Sequence, residues 1–233
     1  MEDIPGYVSV VFILTTFACI AFLLQAIKTA GLRSTAASLV LFLLPLWLIF
    51  QAVVAIGGFY LNASGVPPRL VTVGVMPANL LILACFIFFR RDLVERMPIR
   101  VLTLVHVVRI PVEIVLLLLY NSGTVPQVMT FEGLNFDILS GILAPVAYLL
   151  AFRGQTVNKW VLVVYNIIGL ALLANIVSIA ILSLPSPVQR MAFDQPNVAV
   201  LYFPYIWLPT IVVPIVLFSH LTSLWKLATG KTA

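Results

Sequence analysis

Residues His106 to Tyr120 read HVVRIPVEIVLLLLY. A histidine, an arginine and a glutamate fall within eight consecutive residues of an otherwise apolar run. At about 100° per residue, His106, Arg109, Glu113 and Tyr120 share one edge roughly 60° wide. The other faces carry Val, Ile and Leu. Such a helix has one polar edge to shelter and apolar faces to set against lipid or neighbouring helices, so it belongs inside a bundle with the edge turned inward.

The rest of the chain supplies that bundle. Of its 233 residues, 62% are hydrophobic and only 9% are charged, and the mean hydropathy is +1.15. A soluble domain is about one quarter charged, so this chain lacks the polar surface that water demands. A helix crossing lipid needs roughly 20 mostly apolar residues. Stretches of that kind run over 7–27, 36–60, 70–89, 101–120, 134–152, 160–184 and 199–225. The fold class is an all-α integral membrane protein. Its connections are short, so residues 1–233 form a single domain of seven transmembrane helices. Its main partner is the lipid bilayer, and the expected location is a plasma membrane, the inner membrane if the source is bacterial.

Charge sets the orientation. Glu2 and Asp3 precede the first apolar run, where a secretory signal would carry positive charge. With the N-terminus outside, the inner loops and tail hold ten basic residues, among them Arg33 and Lys226. The outer loops hold two, Arg69 and Arg190. The positive-inside rule therefore predicts an outer N-terminus and a cytoplasmic C-terminus. The net charge of +5 follows from that rule and implies no nucleic-acid partner. Cys19 and Cys85 read as small buried apolar side chains, with no disulfide or metal spacing.

Two segments depart from a plain apolar helix. The last carries Pro204, Pro209 and Pro214. Each proline frees the carbonyl four residues back, here those of Val200, Tyr205 and Thr210. The fifth has only fifteen apolar residues from Ile138 to Phe152, and recruits FEGLNFD, residues 131–137, to reach membrane length. Glu132, Asn135 and Asp137 then form a candidate outer mouth, with Asp137 expected to cap the helix N-terminus.

On the charged helix, Arg109 and Glu113 stand i, i+4 and are expected to pair with each other near the midplane. His106 lies one turn nearer the inner side, at the same depth as His220 on the seventh segment. Asn79, Gln51 and either Asn166 or Asn175 are available across the bundle, the last two lying on nearly opposite faces of one helix. Tyr202, Tyr205 and Trp207 fit an interfacial aromatic belt, or else the outer end of a cavity.

Seven helices with an outer N-terminus are shared by rhodopsin-like receptors and by small sugar transporters. The residues carry neither likeness: Lys226 is at the inner end of its segment, and Pro126–Gln127 lies in a loop. No GxSxG or HExxH is present, so no hydrolase or zinc-protease reading is supported. Three functional readings remain. The first is a central polar cavity that binds or transports a small polar or anionic solute. Its substrate-binding residues would be Arg109, Glu113, His106, Tyr120, Asn79, Asn175 and Tyr202, with Arg109 as anion anchor. The second is a haem- or metal-bearing membrane protein or enzyme using His106 and His220. The third is a non-catalytic sensor or complex subunit.

Overall fold

The computed structural model describes residues 4–31, 34–62, 64–154 and 156–231. Glu2, Asp3 and Arg33, which enter the orientation argument, lie outside the described residues. Among the described residues every regular element is helical and no strand occurs. The principal helices are α1 (Gly6–Ala30), α2 (Thr35–Ile56), α3 (Leu70–Phe88), α4 (Ile99–Asn121), α5 (Asp137–Phe152), α6 (Lys159–Leu182) and α7 (Leu208–Thr229). Six are long and apolar enough to cross a membrane, and α5 is apolar but shorter. Its 16 residues span roughly 24 Å at 1.5 Å per residue, short of a hydrocarbon core about 30 Å thick.

α4 is central, packed against α1, α5 and α7, and α7 also contacts α6 and α3. α2 is peripheral. Phe42, Ile49, Val53 and Ile56 on it are exposed, as expected of a face that meets lipid. What ties α2 down is the broken start of α7. Pro214 leaves the Thr210 carbonyl without its helical donor, and the indole N–H of Trp47 donates to it at 3.0 Å. In return Trp207 on α7 donates to the Leu48 carbonyl at 3.1 Å. The Tyr205 carbonyl, freed by Pro209, accepts the Leu208 N–H at 2.9 Å in a tighter turn.

Several sequence expectations need correction. The last helix begins at Leu208, not near 199. Residues Ala199–Leu201 form a separate 3-10 turn, because Pro204 and Pro209 cannot donate to a continuous helix through this region. Tyr205 and Trp207 are buried, not set in an interfacial belt, and the Tyr205 hydroxyl bonds that of Ser9 at 3.0 Å. The fifth helix begins at Asp137 without recruiting 131–136. The Asn135 side-chain oxygen Oδ1 accepts the Asp137 N–H at 3.0 Å, so Asn135 makes the side-chain turn that starts α5, and no side-chain cap is made by Asp137.

Lys226 is a further correction. It is not a solvated tail charge. It is fully buried, and its ammonium donates to the carbonyls of Glu95 and Met97 at 2.9 and 2.8 Å. A four-carbon stem lets the charge reach the α3–α4 connection while its methylenes pack. Beside it, Glu95 holds Lys231 at 2.6 Å and Arg90 at 3.5 Å, and Lys231 keeps the Glu95 carboxyl below its ordinary range.

Candidate functional site

The site starts with a proline. Pro111 has no N–H for the Val107 carbonyl, and its ring crowds that carbonyl. The preceding turn, Val105–Val108, tightens to 3-10 geometry before α-helix resumes at Arg109. His106, Arg109 and Glu113 nevertheless all face inward, with exposures of 0%, 2% and 1%. Small residues let other helices close on them. A Cβ on Gly141 of α5 would sit 2.8 Å from the Ile110 side chain and 3.3 Å from the Arg109 Cβ. One on Gly169 of α6 would sit 2.7 Å from His220 Nε2 and 3.0 Å from the Ser140 hydroxyl.

The partner of Arg109 is Asp137, not Glu113. Arg109 Nη2 lies 2.8 Å from Asp137 Oδ1, with both side chains buried. The same nitrogen donates to the Gly169 carbonyl at 3.2 Å, and Nη1 reaches His220 Nε2 at 3.4 Å. The i, i+4 pairing fails because the start of α5 brings a carboxylate directly against the guanidinium while Asn135 holds Glu113 elsewhere. Arginine only donates, so His220 Nε2 accepts, and its Nδ1–H donates to Asn166 Oδ1 at 2.8 Å. Asn166 is oriented in turn by donating its amide to the Leu162 carbonyl at 2.7 Å.

His106 and His220, matched in depth by sequence, are stacked. Their ring centroids are 3.7 Å apart and the planes differ by 16°. Tyr165 meets the edge of His106 at 5.8 Å and donates to the Ser140 carbonyl at 3.0 Å. The stack does not fit the haem or metal reading. Both nitrogens of His220 are committed, leaving no lone pair for an ion, and among the described residues no group of three or more His, Cys, Asp or Glu is placed to hold a metal. His106 is different: among the described residues neither ring nitrogen has a hydrogen-bond partner.

Glu113 opens the other half of the site. Its Oε1 accepts the Asn135 amide at 2.6 Å, and that amide also donates to the Met129 carbonyl at 3.0 Å. Glu113 Oε2 is buried with no partner among the described residues. Glu113, Arg109 and Asp137 line a cavity of about 90 Å³ whose other walls are almost wholly apolar, among them Leu116, Val177 and Val212. The exception is Asn197. Its amide donates to the Ala180 carbonyl at 3.2 Å, leaving Oδ1 as a second buried acceptor without a partner. Met129, Leu184, Asn197 and Val200 also line the cavity, so it sits toward the end of the bundle that carries the α4–α5 and α6–α7 connections.

Other expected site residues are elsewhere. Asn79 is exposed and bonds back to the Val75 carbonyl at 2.8 Å. Asn175 is exposed and donates to the Leu134 carbonyl at 2.8 Å, so Asn166 is the asparagine of α6 that faces inward. Tyr120 and Tyr202 are half-buried and do not line the cavity. Of the proposed outer mouth, Glu132 is exposed, whereas Asn135 and Asp137 are buried in the site itself. The residues that sequence reasoning missed are Gly169, Tyr165, Ser140 and Asn197. Gly169 has no polar side chain to signal it, and Asn197 lies between the two segments read as helices over 160–184 and 199–225.

A family model described as Domain of unknown function (DUF8737) matches residues 67–228, more than two thirds of the chain. No curated protein and no solved structure matches it.

Proposed function

Since the chain belongs to the family described as Domain of unknown function (DUF8737), we propose a function from its geometry: it binds a small, largely apolar solute carrying a hydrogen-bond donor, and passes it across a membrane. In this reading the chain crosses a plasma membrane seven times with its N-terminus outside, and the cavity faces the outer side. The observation that carries it is Glu113 Oε2, a buried acceptor without a partner among the described residues, on a residue that lines a mainly apolar cavity. Apolar walls with a few convergent polar groups are the usual form of a small-molecule site, and ionisable groups at this depth mark solute or proton paths in many membrane proteins. An anion anchored on Arg109 is disfavoured, because Asp137, Gly169 and His220 already use both terminal nitrogens of the guanidinium.

Thiol labelling tests the cavity. In a Cys19→Ala, Cys85→Ala background, cysteines at Leu116 and Val177 line the cavity, and one at Ile114 of α4 faces outward at 46% exposure. A small charged reagent added from the outer side is expected to modify the first two and to spare Ile114→Cys, which lipid shields. Protection of both cavity positions in a folded protein would remove the reading.

A further inference from the structure

We propose that the solute is a short alkylammonium cation, taken up in exchange for one proton on Glu113. The inference rests on the cavity reading above and adds its chemistry.

Charge balance favours a cation. Two carboxylates, Glu113 and Asp137, are buried together with one guanidinium, and Arg109 is bound to Asp137 at 2.8 Å. Among the described residues the other buried cation, Lys226, is pinned to carbonyls of the α3–α4 connection at the far end of α7. His220 accepts from Arg109 and is therefore neutral. His106 stacks on it beside the same guanidinium, a poor setting for a second positive charge. From α3, α6 and α7 only apolar side chains reach the cavity wall, so the groups facing Glu113 are Arg109, Asp137, Asn135 and Asn197. A second carboxylate in this setting has no cation of its own. An isolated buried charge costs many kcal/mol, so Glu113 holds either a proton or a bound cation.

The polarity of the lining points the same way. Three buried acceptor atoms on residues that line the cavity lack a hydrogen-bond partner among the described residues: Glu113 Oε2, Asn197 Oδ1 and Asp137 Oδ1, the last held by Arg109 in the 2.8 Å ion pair. An ammonium group brings N–H donors to such acceptors, whereas a carboxylate or phosphate would add more acceptors. Arg109 Nε is the one nitrogen of that guanidinium without a partner among the described residues. Size agrees. A cavity of about 150 Å³ binds benzene, and this one is about 90 Å³, which suits an amine of few heavy atoms.

The exchange balances without a redox partner. The alkylammonium enters as a cation, the Glu113 O–H bond breaks heterolytically, and the proton leaves for bulk water. An N–H donor of the ligand then bonds to Glu113 Oε2. Net charge in the site is unchanged.

Calorimetry on the purified full chain, in buffers of different ionisation enthalpy, reads this directly. Methylammonium and ethylammonium chloride are the probes, with ethanol, sodium acetate and potassium chloride as comparisons. The expected result is amine binding with one proton released per cation, at least ten-fold tighter than ethanol, and no acetate binding. Glu113→Gln, checked for folding by elution volume and circular dichroism, is expected to lose the proton release and at least ten-fold in amine affinity while still admitting ethanol. Amine binding without proton release, or ethanol binding as tightly as ethylammonium, would overturn the exchange and leave the cavity reading intact. Binding of acetate in preference to amines would overturn the choice of ligand class. If no probe binds while the thiol labelling above succeeds, the cavity is accessible but the inference is wrong; if both fail, the cavity reading falls with it.

Discussion

Asp137 and Glu113 are two buried carboxylates near one arginine, yet their surroundings have opposite character. Asp137 is locked: Arg109 grips it at 2.8 Å, and the same guanidinium reaches the Gly169 carbonyl and, through His220, Asn166. Glu113 is half open, with one oxygen held by Asn135 and the other buried without a partner, on a residue that lines the cavity. A buried charge in an apolar bundle does not by itself mark a working residue. A charge held in an ion pair by the protein ties helices together. One with an unmet bond on a cavity is free to meet a ligand.

The largest effect should come from breaking the locked half. Arg109→Ala leaves Asp137 buried and unpaired, and thermal unfolding in detergent is expected to show a loss of about 3–5 kcal/mol. The double change Arg109→Leu with Asp137→Leu should recover most of that, since a well-packed apolar pair replaces a buried ion pair at little cost. If Arg109→Leu with Glu113→Leu recovered it instead, the pairing would be the i, i+4 one. Next in size is Gly169→Ala. Its Cβ would intrude on His220 and the Ser140 hydroxyl, and overpacking of this kind costs about 1–3 kcal/mol. A stability equal to wild type would mean that the α6–α7 contact is looser than the structure has it.

Much of this arrangement was legible in the chain. Composition and apolar run length indicate a membrane-type helical bundle. Of the edge His106, Arg109, Glu113 and Tyr120, the first three are buried, because helical periodicity survives one 3-10 turn, while Tyr120 is only half-buried. Depth counting matched His106 with His220 across the bundle. Pairing was not legible. The i, i+4 rule offers Arg109 only partners on its own helix, and nothing local shows that Asn135 will start α5 in a way that delivers Asp137 to the guanidinium. The choice of Asn166 over Asn175 depends on how α6 is rotated, which tertiary packing decides. Gly169 takes part through a backbone carbonyl, and a carbonyl leaves no trace in side-chain pattern. Asn197 belongs to a connection whose course is set by prolines and long-range bonds such as that from its N–H to the Ser183 carbonyl at 2.8 Å.

The smallest stability effect belongs to Glu113→Gln. Its amide oxygen can still accept from Asn135, so the change is expected to cost less than about 1 kcal/mol, and that near-silence makes the substitution usable as a probe. Infrared difference spectroscopy of the purified protein at neutral pH then tests most directly the claim that Glu113 is the open, exchangeable carboxyl. The expected result is a protonated carboxylic-acid C=O band that shifts when H2O is replaced by D2O, vanishes in Glu113→Gln and falls when methylammonium is added. A band that persists in Glu113→Gln, or the absence of any protonated carboxyl from the unliganded wild-type protein, would contradict it.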